Sequence, residues 1–252
     1  DLVFIHQTPE GAMTDGEKPI PGSLYFTRIG QEIINILTAP TSEGYAYEVD
    51  MRLRPSGKSG PVTIAFDRFA SYQMDNAWTW EHMALVRARI ITGFNHDDLA
   101  KQIEHCLASV MKIKRTKSRV ISDAREMRQR IAKHHHPRSG HDLRLISGGL
   151  IDLDFFAQMM QLMHPLENGQ RIGQAAAAIA SLGSRHIISS EDTEILSKSA
   201  QVLMDLNQMM RLTMIRVHEQ KPENPLPAPL IERFGIHTVA ELDQLVAHHA
   251  GL

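Results

Sequence analysis

The apolar positions change period along the chain. At the start, Leu2-Val3-Phe4-Ile5 is a short apolar run that predicts a buried strand over 1–5. His6 to Gly22 is rich in Pro, Gly and Thr and reads as a loop. Phe26, Ile29, Ile33 and Ile36 recur at helical spacing. They predict a helix from about Ser23 to Leu37, capped by Ser23 and stopped before Pro40. From Tyr47 the period is two: Tyr47, Val49, Met51 and Leu53 alternate with Glu48, Asp50, Arg52 and Arg54, which predicts a half-buried strand. Pro55 ends it, and Ser56-Gly57-Lys58-Ser59-Gly60 is a basic turn. Pro61–Ala65 predicts another strand, and helices follow over Asp67–Asp75 and Trp78–Ile91.

Beyond Asn95 only the helical period remains. Asn95 can cap a helix running to about Met111, with Asp97 and Asp98 favoured by the dipole in its first turn. Lys112 to Arg119 is a basic run that reads as a domain seam, and Ser122–His134 as a basic helix. Further helices are expected over Leu150–His164, Gln170–Leu182, Ser190–His218 and Thr238–His249, with a proline-rich loop at Pro222–Pro229. The pattern predicts an α+β part at 1–111 followed by an all-helical part at 112–252.

Composition changes this picture little. The 252 residues carry 27 Lys and Arg against 29 Asp and Glu, so nothing global points to nucleic acid or to a membrane. No apolar run approaches the roughly 20 residues of a membrane span. The single cysteine, Cys106, excludes an internal disulfide, reads as a core residue, and fits a reducing cytoplasm. The opening Asp-Leu-Val-Phe-Ile has neither Met nor a basic leader, which suggests a piece of a longer protein. His134-His135-His136 abuts Pro137 and lacks the spacing of a zinc site, so an exposed loop without metal is expected.

The chemistry concentrates at residues 47–60. On a strand, Asp50, Arg52 and Arg54 would share one face at about 7 Å intervals. A carboxylate able to hold a divalent cation would then lie beside Arg52, Arg54, Ser56 and Lys58, a set that suits a magnesium-bound polyphosphate. The competing reading is a solvated Asp50–Arg52 pair on an ordinary strand. The turn is not a P-loop, because it lacks that spacing and the helix that must follow.

Tyr47-Glu48-Val49-Asp50-Met51-Arg52-Leu53-Arg54-Pro55-Ser56-Gly57, together with Ala77-Trp78-Thr79-Trp80-Glu81-His82-Met83-Ala84-Leu85-Val86-Arg87-Ala88-Arg89, resembles bacterial glutamine synthetase adenylyltransferase. Gly11-Ala12-Met13-Thr14-Asp15-Gly16-Glu17 and Trp78-Thr79-Trp80-Glu81 are more similar to its C-terminal, adenylylating half. Gly148 to Phe155 resembles the start of the helical domain that follows. The resemblance implies a nucleotidyltransferase fold of the DNA polymerase β type and a cytoplasmic enzyme of nitrogen control. The implied reaction transfers AMP from ATP to a tyrosine of glutamine synthetase and releases pyrophosphate. It implies Asp1 and Asp50 as magnesium ligands, with Asp50 alternatively the proton-accepting base. A further metal-binding aspartate is expected just upstream of Asp1, which would leave this piece weakly active. Arg52, Arg54, Ser56, Lys58, Glu81, Arg87 and Arg89 are implied as nucleotide contacts. The alternatives are the deadenylylating half, which uses phosphate to remove AMP, and a non-catalytic module that docks glutamine synthetase or a PII-type signal protein.

Overall fold

The computed structural model describes residues 1–42, 44–45, 47–55, 57–93, 97–137, 139–213 and 220–251. The chain divides into two compact units, Asp1–Ile113 and Lys114–Leu252. The first is mixed and the second is helical.

In the first unit, β1 (Phe4–His6) pairs in parallel with β4 (Thr63–Ala65), Phe4 opposite Thr63 and His6 opposite Ala65. Helix α1 (Gly22–Thr38) lies against both strands. Its approach to β4 depends on Gly30, where a Cβ would sit 2.8 Å from the Thr63 methyl. Thr27 and Thr63 hydroxyls share a hydrogen bond at 3.2 Å across the same contact. His6 is buried and stacks on Phe26 with ring centroids 5.0 Å apart. The short strands β2 (Pro40–Thr41) and β3 (Gly44–Tyr45) form an antiparallel pair. Helices α2 (Phe66–Asp75), α3 (Thr79–Leu85) and α4 (Asp97–Met111) enclose a core of Phe69, Met83, Val86, Leu107, Val110 and Met111. Cys106 is buried on α4, and burial pushes its thiol up, so it behaves as a core residue. Asn95, expected to cap this helix, lies outside the described residues.

Two expectations for this unit are corrected. Residues 47–55 do not form a strand: the chain runs without a ladder to Met51 and turns at Arg52–Leu53. The cause is local. The Asp50 carboxylate accepts the Arg52 N–H at 2.9 Å, and that N–H is then lost to any neighbouring strand. Tyr47, expected to point inward, is 67% exposed. The helix expected over Trp78–Ile91 stops at Leu85. Val86, Arg87 and Ala88 each donate to the carbonyl three residues back, which tightens the last turn and ends the helix. Arg87 and Arg89 therefore follow α3 rather than share it with Glu81.

The second unit is built from α5 (Lys117–His134), α6 (Leu150–Met163), α7 (Ala175–Ser184), α8 (Ser190–Leu212), α9 (Ala228–Phe234) and α10 (Val239–Ala250). Leu143, Leu153, Ile179, Leu203, Leu206, Leu230 and Leu242 form its core. Helix α5 starts at Lys117 rather than Ser122, so the basic seam supplies its first turn. His134 is its last residue rather than part of a loop, and His134, His135 and His136 are all exposed. Helix α9 falls partly where a loop was expected. Pro227 and Pro229 begin it, because the first helical turn needs no proline N–H, and Gly235 closes it at φ 67°. The extension of α8 to His218 runs into 214–219, outside the described residues. Arg128 grips Asp152 with both sides of its fork, Nε–Oδ1 at 2.5 Å and Nη2–Oδ2 at 3.1 Å. Asp152 also accepts the Gly148 N–H at 2.9 Å, so α5 is tied to the start of α6.

Candidate functional site

Two backbone hydrogen bonds tether the described residues of the loop 47–60. Tyr47 N–H donates to the Leu37 carbonyl at 3.2 Å, and Leu2 N–H donates to the Asp50 carbonyl at 2.9 Å. The second bond brings the backbone after Asp1 against Asp50. Asp50 then binds its neighbour twice more: Arg52 Nε donates to Oδ2 at 2.6 Å, and Nη2 lies 2.5 Å from the same oxygen. The hydrogen bond from Arg52 holds the Asp50 carboxyl below the usual carboxylate range, against a smaller opposing effect of burial. The same contact raises Arg52. Asp50 and Arg52 are thus an ion pair folded onto itself, and the Arg52 side chain is largely exposed.

Arg54 points its fork at the loop. Its Nε and Nη2 donate to the Gly60 carbonyl at 3.3 and 3.1 Å, and Nη1 donates to the Met51 carbonyl at 3.1 Å. Gly57 N–H returns to the Arg54 carbonyl at 2.9 Å, with Gly57 at φ 53°. This planar donor closes a turn whose carbonyls have no ladder to enter. Ser56 and the Lys58 side chain lie outside the described residues.

Glu81 is only 4% exposed. Its carboxylate accepts the Tyr72 hydroxyl at 2.9 and 3.0 Å and the Trp78 N–H at 2.8 Å. Burial and the adjacent carboxylate push Tyr72 up to about 12. Glu81 therefore ties α2 to the first turn of α3. Sequence reasoning did not find Tyr72, although a glutamate three residues after a helix start signals this back-bond to the cap N–H. Arg87 and Arg89 are exposed beyond α3.

Asp1 and Asp50 offer hard oxygen donors, the ligand type that magnesium takes together with substrate phosphates. The Asp50 Oδ1 atom accepts one hydrogen bond from Arg52, and a carboxylate oxygen has a second lone pair to offer. Asp1 and Asp50 are the residues here that could hold such an ion. Among the described residues no group of three or more His, Cys, Asp and Glu stands ready to hold an ion unaided.

Residues 1–106 match the family described as glutamate-ammonia ligase adenylyltransferase. Residues 119–250 match a second family model, described as GlnD PII-uridylyltransferase. Curated relatives span both regions in one protein. The bifunctional glutamine synthetase adenylyltransferase/adenylyl-removing enzyme of Rhodopseudomonas palustris strain BisB5 is 37% identical over 217 residues, covering 84% of this chain and 21% of that protein. The enzyme of the same name from Xanthobacter autotrophicus strain Py2 is 34% identical over 238 residues, covering 93% of this chain and 24% of that protein. That of Brucella suis is 45% identical over 163 residues, covering 64% and 16%. These relatives are adenylyltransferases, and adenylyltransferases are nucleotidyltransferases. The chain belongs to the glutamate-ammonia ligase adenylyltransferase family. It spans about a fifth to a quarter of the length of the first two of these relatives.

Proposed function

We propose that residues 1–111, within the first unit, are the catalytic part of a nucleotidyltransferase of the DNA polymerase β type. It transfers AMP from ATP to a tyrosine hydroxyl of glutamine synthetase and releases pyrophosphate. The observation that carries this reading is the Leu2–Asp50 backbone bond, which gathers the two carboxylate-bearing segments at one loop. Asp1 and Asp50 would hold magnesium. Bound there, the metal supplies Lewis acidity toward the attacking hydroxyl and countercharge for the leaving pyrophosphate.

The chain's own residues divide the remaining work. Asp50 stays ionised because Arg52 favours its charged form. Arg52, exposed and paired within the loop, exchanges its carboxylate for phosphate oxygens when nucleotide enters. Arg54 positions the loop rather than the substrate, because three of its bonds go to backbone carbonyls. Lys58, Arg87 and Arg89 contribute further positive charge to the triphosphate, and Ser56 a hydroxyl. A nucleotide contact from Glu81 is disfavoured by its burial against Tyr72. The match of 119–250 to a PII-uridylyltransferase model supports a PII-type protein as the partner of the helical part, residues 112–252. A cytoplasmic location accords with the single, buried Cys106, and among the described residues no helix is long and apolar enough to cross a membrane.

Incubating the protein with glutamine synthetase and ATP labelled at the α-phosphate tests the reading. The expected result is magnesium-dependent label on a tyrosine of glutamine synthetase. Phosphate-dependent release of AMP from pre-labelled glutamine synthetase, without forward transfer, would assign the chain to the removing activity instead. Binding of glutamine synthetase with neither reaction would leave it a docking module.

A further inference from the structure

Three basic side chains from separate helices of the second unit meet at one place. Lys117 is the first residue of α5, His164 follows the last residue of α6, and Arg185 follows the last residue of α7. Lys117 Nζ lies 3.3 Å from His164 Nε2. An ammonium can only donate, so Nε2 accepts and the imidazole is neutral, with its proton on Nδ1. Arg185 donates from Nη1 to the His164 carbonyl at 2.9 Å and from Nη2 to the Pro165 carbonyl at 3.0 Å. Burial, and then the charges of Lys117 and Arg185, hold the His164 imidazole below the usual histidine range.

Local structure accounts for only part of this grouping. Arg185 meets the carbonyls that follow α6, which uses two of its five N–H donors. Lys117 closes no helix end. Among the described residues its side chain has one hydrogen bond, to His164, and no ion pair. It stands in the first turn of α5, at the positive end of the helix dipole, and that turn holds no acidic residue. Glu167, three residues beyond His164, is exposed and pairs with neither Lys117 nor Arg185. Two permanent cations therefore crowd a neutral imidazole with no carboxylate among the described residues to offset them.

We propose that Lys117, His164 and Arg185 form a binding site for a phosphate group, carried either by inorganic phosphate or by a polyphosphate. An oxyanion between Lys117 and His164 accepts from the ammonium and from Nε2, which takes a proton from solvent as the anion arrives. Arg185 contributes the second permanent charge and the N–H donors that its carbonyl contacts leave over. Two fixed cations and an imidazole able to gain a proton match a dianion better than they match a single carboxylate. The inference concerns a small ion held within the helical unit and does not depend on the AMP-transfer reaction.

The test follows the His164 ring resonance of the whole chain by NMR as pH is varied, with His164→Gln identifying the signal. Sodium phosphate, pyrophosphate and magnesium-free ATP are compared with sodium chloride at the same ionic strength. At least one phosphate species should raise the His164 midpoint by about one pH unit, as for a site that prefers the protonated form about tenfold. A response to inorganic phosphate identifies the free ion, and a response confined to pyrophosphate or ATP identifies a polyphosphate. Lys117→Gln should raise the midpoint in chloride alone, because a repelling charge is gone, and should abolish the further shift with phosphate. Lys133→Gln removes the same charge about 24 Å along α5 at 1.5 Å per residue, and should leave the phosphate shift in place. Circular dichroism confirms that both variants keep their helices. A His164 midpoint that no phosphate species moves beyond chloride overturns the proposal. So does a shift that survives in Lys117→Gln, or one that Lys133→Gln removes equally.

Discussion

Asp50 holds Arg52 through both carboxylate oxygens, and the two oxygens can be separated by substitution. In Asp50→Asn the amide oxygen still accepts the Arg52 N–H, so the turn survives, while the charge that would hold magnesium is gone. The melting temperature should move by no more than about 2 °C. Magnesium-dependent AMP transfer should fall by about 100-fold or more. An active Asp50→Asn protein would remove the metal-ligand assignment. Arg54 should fail differently. Lysine cannot bridge the Met51 and Gly60 carbonyls at once, so Arg54→Lys should cost about 1–2 kcal/mol in urea unfolding. A loss confined to nucleotide affinity, with stability unchanged, would return Arg54 to the phosphates. Glu81→Ala leaves the Tyr72 hydroxyl and the Trp78 N–H without their acceptor and should destabilise by about 2–3 kcal/mol. Transfer per folded molecule should be unchanged, which separates a tie between helices from a nucleotide contact.

At the scale of elements, what could be read in the sequence was what local spacing encodes. The stripe of Phe26, Ile29, Ile33 and Ile36 marks α1 to within a residue at each end, and the expected helix Thr238–His249 matches α10 equally closely. Residues 47–53 carry an equally regular alternation and are not a strand. The period of two records which side chains could alternate, not whether a neighbour supplies hydrogen bonds, and Asp50 used the Arg52 N–H first. For the candidate site the sequence offers residue types but no geometry. Nothing local says that Arg54 turns inward or that Glu81 meets Tyr72. Gly148 makes the same point. The Gly148-Gly149 pair signals a helix start, but the reason for glycine is on α10. A Cβ at Gly148 would lie 1.9 Å from the Ala250 carbonyl oxygen, and its φ is 70°. Gly148→Ala should therefore cost at least about 2 kcal/mol through strain and collision together. A urea midpoint within error of the original would show that α10 does not pack there.

Across the whole molecule, the two units share a sensitivity to acid. His6 in the first unit is held below 6.5 by burial. In the second, burial and then the charges of Lys117 and Arg185 lower His164, and burial followed by His248 and Lys198 lowers His249. In the unfolded chain each of these binds a proton near 6.5, while the folded chain resists until lower pH. Above 6.5 neither state is protonated and the stabilisation is fully present. As pH falls below 6.5 the unfolded state binds more protons, so stability declines until the folded values are passed. The lowered Asp50 adds a second decline that begins only below its ordinary value of 3.8. The units can be followed separately, because both tryptophans, Trp78 and Trp80, belong to the first. Urea unfolding followed by fluorescence and by circular dichroism should shift to lower urea between pH 7.5 and 5. His6→Gln should flatten the pH dependence of the fluorescence transition while leaving the pH dependence of the second unit in place. Urea midpoints that do not fall between pH 7.5 and 5 would show that these imidazoles titrate alike in the folded and unfolded chain. A pH dependence of the fluorescence transition that persists in His6→Gln would move the effect in the first unit to another group.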